Sequence, residues 1–274
     1  MNSTTRTIFG FAEVNGAQLY YEEAGNGYPL LLIHGGLVHS SMWDDQFEAF
    51  TRHFQVIRFD LRGFGRSSPP AGEYAYHEDA RGLLDALSVR QAHVIGLSMG
   101  GKIAIDFALA HPERVTALVP VASALSGYGF SESTVRRIVE ADNLLEAGKI
   151  AAGVELENRL WVDGPARTPE TVDPGVRERV RTMNTANYQR ATGEGIELDL
   201  EPPAIDRLSE IGVPTLVIAG DQDVPDILAI AERLRRDIAG ARLVIISDTA
   251  HQLNMEQPDE FNRIVLEFLR SSSS

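Results

Sequence analysis

The sequence predicts an α/β fold: a mostly parallel, doubly wound sheet carrying one inserted helical segment, or lid. Three observations lead there. Short apolar runs rich in Leu, Ile and Val end in Gly, His or Asp, and helical periodicity follows each of them. The runs are nearly free of polar positions, which suits parallel strands covered on both faces. Residues 125–205 break this rhythm and contain no strand-like run.

In chain order, a hairpin comes first, with strands near 7–14 and 18–23 turning at Asn15-Gly16, a pair suited to a two-residue turn. Parallel strands are expected at 30–34, 55–60, 93–97, 116–121, 215–219 and 242–246. Helices fit between them at 42–53, 80–87, 103–110, 227–238 and 258–269. The third of these stops before His111-Pro112, because the residue before proline disfavours helix. Asp259 and Glu260 sit in the first turn of the last, where the helix dipole favours acids. Pro120 breaks a rule: it cannot donate to a ladder, so its strand must bulge there or face a place that needs no donor.

Between residues 125 and 205 the pattern is helical, at 133–147, 150–160 and 176–186, punctuated by Asp163-Gly164-Pro165 and Glu201-Pro202-Pro203. So long a structureless loop is implausible in a compact domain. The expected organisation is a core of residues 1–124 and 206–274 with a helical lid at 125–205. The terminal serines are expected to fray.

Composition removes several classes of function. The 274 residues carry 25 Lys+Arg against 39 Asp+Glu, a formal charge of −14. That balance argues against nucleic acid and anionic membranes as partners. With no cysteine, disulfides, thiolate-bound zinc, iron–sulfur clusters and a thiolate nucleophile are excluded. The N-terminal stretch lacks a charged start followed by a long apolar run, and the longest apolar runs fall far short of a membrane span. The expected location is cytoplasmic. Close metal-ligand spacing of the HExxH kind is absent from the sequence, and neither metal nor cofactor is expected. The block Asp60–Ser67 contains Gly63-x-Gly65 but lacks the third spaced glycine and the Lys-Ser/Thr end of a phosphate loop, so it reads as a structural turn.

The strongest chemical signal is Gly96-Leu97-Ser98-Met99-Gly100. It follows an apolar strand and opens a helix, the context of a nucleophile elbow. Ser98 must occupy a strained backbone conformation to stand above the sheet, and side chains at Gly96 or Gly100 would collide across so tight a turn. A serine hydroxyl needs an adjacent base. Of seven histidines, His251 is the best candidate, because it lies in a loop directly after a strand, where open α/β sheets carry function. His34 buttresses its glycine loop, and His39 follows that loop at the edge of the pocket. The imidazole needs a carboxylate to fix its tautomer. Asp221, Asp223, Asp226 and Asp248 compete, with Asp226 placed to cap the next helix.

With these motifs in order, the sequence resembles the α/β-hydrolase family from about Tyr20 to Leu269, outside the lid. Leu31-Leu32-Ile33-His34-Gly35-Gly36 is similar to the family's oxyanion loop, and Asp60–Ser67 to its block after the next strand. Ala250-His251 matches the family's histidine position. The family's acid falls three residues after the glycine ending its strand, here Gly220, and this selects Asp223 with Asp221 as runner-up. The resemblance implies an oxyanion hole made by the backbone N–H groups of Met99 and Gly36, with Leu37 the lesser alternative to Gly36, each donor worth on the order of 3 kcal/mol to the barrier. Two departures narrow the activity. Gly36 is followed by Leu37 rather than proline, unlike proline iminopeptidases, and Ser98 stands where related dehalogenases and epoxide hydrolases have Asp.

The implied activity is hydrolysis of a small carboxylic ester or lactone through an acyl-enzyme on Ser98. Alternatives on the same fold are a C–C bond hydrolase or enol-lactonase acting on ring-cleavage products, a slow-turnover ligand receptor, and a perhydrolase or acyltransferase. Leu37, Tyr128, Phe130, Trp161 and Tyr188 are candidate pocket walls, joined by Leu125, Met183 and Met99. The scarcity of Lys and Arg in the motifs points to an uncharged or weakly polar acyl substrate.

Overall fold

The computed structural model describes residues 7–190 and 193–272. Strands β1 (Ile8–Val14) and β2 (Ala17–Ala24) form an antiparallel hairpin. Asn15 and Gly16 both have positive φ, 47° and 76°, the backbone that a two-residue turn of matching twist requires. β2 runs antiparallel to β4 (Phe54–Phe59), which continues in parallel into β3 (Tyr28–Ile33), β6 (Ala92–Leu97), β7 (Val115–Val121), β9 (Leu216–Gly220) and β10 (Arg242–Ile246). The sheet order is β1-β2-β4-β3-β6-β7-β9-β10. Leu30–Ile33 are fully buried, as their unbroken apolar run demands.

The order fixes where chemistry can sit. From β3 the chain moves outward to β4, then returns to β6 on β3's other side. The carboxyl ends of β3 and β6 therefore diverge at a topological switch point, the crevice where such sheets bind ligands. Helices α1 (Asp44–Phe50), α2 (Tyr76–Ala86), α3 (Met99–Ala110), α7 (Pro225–Asp237) and α9 (Pro258–Ser272), with the single turn α8 (Leu253–Glu256), flank the sheet. Between β7 and β9 lie α4 (Glu132–Glu146), α5 (Ile150–Glu157) and α6 (Pro174–Tyr188), with a π-turn over Asn158–Val162 prolonging α5.

Four expectations need correction, and one open alternative is decided. The helix expected at 42–53 begins as a 3₁₀ turn over Ser40–Trp43 and becomes α-helical only at Asp44. The stretch 125–205 does contain a strand: the two-residue β8 (Ile196–Glu197) pairs with β5 (Glu73–Tyr74). So short a pair leaves no periodicity to read. Pro120 sits inside β7 without a bulge of its own, paired with Gly96. Toward β9, Leu118 N–H donates to Pro214 O and Ala122 N–H to Ile218 O, so Pro120 falls in the gap of that sparse ladder, the second of the two expected alternatives: a place that needs no donor. Asp226 does not cap its own helix, whose N-cap is Val224. Its carboxylate accepts from Ser131 N, Ser131 Oγ and Thr134 Oγ1 at 2.6–2.7 Å, and so caps α4 across the fold. Of the four terminal serines expected to fray, Ser271 and Ser272 instead continue α9, while Ser273 and Ser274 lie outside the described residues.

The block Asp60–Ser67 is a self-satisfied turn. Asp60 accepts from Ser40 N at 2.9 Å and from Arg66 N at 2.8 Å. A carboxylate thus occupies the amides that a phosphate would need.

At the base of the inserted segment, α3 contributes Asp106, which is 3% exposed and accepts from Ser126 Oγ with both oxygens, at 2.8 and 3.0 Å. Burial lifts its pKa to about 6, against the opposing hydrogen bond from Ser126 and the charge of Lys102. Lys102 is itself engaged by Glu197 and Asp199. Because the folded pKa lies above the ordinary 3.8, this group favours the folded state below pH 4. That contribution fades as pH rises through about 6. The shift corresponds to roughly 3 kcal/mol. Asp106→Asn is therefore expected to stabilise the protein above pH 6, by about 1–3 kcal/mol, with no gain below pH 4. Urea unfolding at pH 4 and 7.5 measures the difference, and an equal effect at both values contradicts it.

Candidate active site

The site is built from the ends of β3, β6, β9 and β10. At the end of β6 the chain reverses into α3 through Ser98, whose φ of 58° and ψ of −117° lie where a side chain is strained. The glycines on either side permit the turn. A Cβ on Gly96 would overlap the Gly100 carbonyl, and one on Gly100 would overlap the Ile33 and His34 carbonyls. The strain is held by main-chain bonds. Ser98 N–H donates to Val121 O at 2.9 Å, and Ser98 O accepts from Lys102 N and Ala124 N. Met99 is the first residue of α3, so its N–H belongs to the helix's first turn, which has no intrahelical acceptor.

His251 and Asp223 come together. His251 Nδ1 lies 2.8 Å from Asp223 Oδ2, and both residues are 3% exposed. The second Asp223 oxygen accepts from Val224 N at 2.7 Å, which fixes the carboxylate plane. With Nδ1–H donated to the carboxylate, a neutral ring keeps Nε2 as an acceptor, the tautomer a general base needs. Asp221 and Asp248 stay exposed.

The loop carrying His251 is held from the inserted segment. His251 N–H donates to Trp161 O at 3.2 Å, and the indole lies 4.7 Å from the imidazole, centroid to centroid. Ala250 N–H donates to Glu256 Oε1. The other Glu256 oxygen receives Arg167, which also donates to Asp248 O and Val162 O.

At the end of β3, His34 is fully buried. Its Nε2 accepts from Leu61 N at 2.9 Å, so its Nδ1–H donates to Gly35 O at 2.7 Å. Burial pushes its pKa down to about 4, and the neutral ring braces the loop that presents Gly36.

A cavity of about 150 Å³ joins these parts. Ser98, Met99 and His251 line it with Gly35, Gly36, Leu37, Trp161 and Gln252. Five sequence candidates are not among its lining residues. Tyr188 turns its hydroxyl to Glu157 at 2.9 Å instead of facing the cavity. Tyr128 meets Phe130 edge to face at 6.1 Å between centroids, and Phe130 meets Trp161 in the same way at 6.4 Å. Leu125 and Met183 join the buried core. His39 lines a neighbouring cavity of about 280 Å³ with Arg66, Asn187 and Arg190. Sequence reasoning missed Gln252; its position beside His251 was the available signal.

A model of the alpha/beta hydrolase fold matches residues 28–258. The chain is 33% identical to "Putative carbamate hydrolase RutD" of Azorhizobium caulinodans, covering 94% of this chain and 97% of that one. It is 30% identical to 3-oxoadipate enol-lactonase 2 of Acinetobacter baylyi, over 94% and 96%. Among solved structures, the enol-lactonase from Burkholderia xenovorans LB400 superposes with a TM-score of 0.78 at 29% identity, covering 95% of this chain and all of that one.

Proposed function

The chain belongs to the alpha/beta hydrolase fold family, and on that premise we propose that it is a serine hydrolase of small carboxylic esters or lactones. One observation carries the reading: Ser98 on its strained turn, the Asp223-paired His251 and the Gly36 loop line one cavity. Its volume of about 150 Å³ is below the range of roughly 300–1,000 Å³ that suits drug-sized ligands, which favours a short acyl group.

In the proposed mechanism Ser98 Oγ attacks the scissile carbonyl while His251 Nε2 takes its proton. Asp223 holds the ring in register and stabilises the imidazolium. The N–H groups of Met99 and Gly36 stabilise the oxyanion. His251 returns the proton to the departing alcohol. Water then attacks the acyl-enzyme with His251 again as base, releasing the acid. Residues 125–205 act as a lid that supplies Trp161 to the cavity wall, over a core of residues 1–124 and 206–274.

The test is a fluorophosphonate probe followed by a panel of short p-nitrophenyl esters and lactones. We expect one adduct per chain, on the peptide containing Ser98, and steady turnover of short esters. Absence of an adduct overturns the reading. A single burst without turnover points instead to a ligand receptor.

A further inference from the structure

Gln252 follows the base in sequence and is 1% exposed. It is one of the residues lining the cavity that Ser98 also lines. Its Oε1 is buried without a hydrogen-bond partner, and none of its side-chain atoms is committed to another described residue. Other buried orphan oxygens belong to amides that are otherwise engaged. Asn254 gives its Nδ2 to Met42 O and Gln46 Oε1, and Asn158 gives its own to Arg177 O. Gln252 is different: a whole carboxamide is left uncommitted in the wall of a small, mostly apolar cavity. An unmade bond is costly in such a place, so a buried polar group there calls for a partner.

We infer that Gln252 is a specificity-determining residue, accepting a hydrogen bond from an O–H or N–H group that the substrate carries close to the scissile carbonyl. This rests on the serine-hydrolase reading and deepens it. The substrate class becomes esters or lactones with a donor near the reacting carbon, such as hydroxy-acyl or acylamino compounds. The amide can turn about its last torsion to present Oε1, because that torsion is soft. A site built around such a contact rejects analogues lacking the donor, whereas an apolar wall barely distinguishes them.

Two substrate pairs test this in wild type and Gln252→Met, a variant of similar volume without hydrogen-bonding groups. One pair puts the donor on the acyl side: p-nitrophenyl 2-hydroxypropanoate and p-nitrophenyl propanoate. The other puts it on the alcohol side: 2-hydroxyethyl butanoate and ethyl butanoate. In at least one pair, wild type is expected to favour the hydroxylated member in kcat/KM by about tenfold, and Gln252→Met to lose that preference. The ratio within a pair is the readout. The same ratios in both proteins overturn the inference, including the case where every substrate slows equally because His251 has shifted. If Gln252→Met does not fold, Gln252→Glu keeps an acceptor and must keep the preference; its loss also overturns the inference. The underlying reading fails separately, when Ser98→Ala leaves turnover of all four substrates intact.

Discussion

Ser98→Ala lowers kcat on a short p-nitrophenyl ester by about 10⁵- to 10⁶-fold. The methyl side chain cannot form the acyl-enzyme, so His251 has no hydroxyl to activate. On the proposed mechanism, the residual rate comes from the Met99 and Gly36 N–H groups and from binding, which the substitution leaves in place. Stability should change little. The positive φ at residue 98 costs alanine about what it costs serine, and the bonds to Val121, Lys102 and Ala124 are main-chain. Thermal unfolding of the variant checks that part, and a pre-steady-state assay checks the rate. A loss below tenfold would place the nucleophile elsewhere.

Asp223→Asn is expected to cost about 10⁴-fold in kcat, with the fold intact. The cause is the hydrogen-bond arrangement around the carboxylate. Val224 N–H donates to one oxygen and His251 Nδ1 faces the other. An asparagine keeps its carbonyl toward Val224 N–H and so turns its NH₂ toward Nδ1. The imidazole must then accept at Nδ1 and carry its proton on Nε2, where it cannot take one from Ser98. Asp221→Asn is the control, since that carboxylate is exposed and its partner is the neighbouring Gln222 side chain. Its kcat should stay within about twofold, as for ordinary surface changes. Equal losses in the two variants would remove Asp223 from the role.

The sequence was most informative where short-range chemistry dictates structure. Asn15-Gly16 turns the hairpin, the apolar run at 30–33 lies at the sheet centre, and the glycines around Ser98 announce a turn no other residue could make. The pairing of His251 with Asp223 joins residues 28 apart, so spacing left Asp221 open and only the fold brings one carboxylate to the ring. The insertion was legible as helical, but its interior was not. Tyr128, Phe130 and Tyr188 are aromatic residues that could face either way. Their placement follows from partners far along the chain: Phe130 contacts Trp161, and Tyr188 donates to Glu157. Asp226 misled for a related reason: its place before a helix suggested a cap, while its partners came from α4, far along the chain.

The ties between the histidine loop and residues 161–167 bear on how such a protein diversifies. Trp161 O takes the His251 N–H, and Arg167 grips the Glu256 that holds Ala250. The inserted helices are therefore not an independent cassette. Exchanging the whole of 125–205 for a foreign segment would change the cavity wall and unseat His251 in one step. A graft that retains 161–167 and replaces α4 or α6 separates those two effects. In engineering terms the seam for swapping recognition lies inside the insertion, not at its junctions with the sheet.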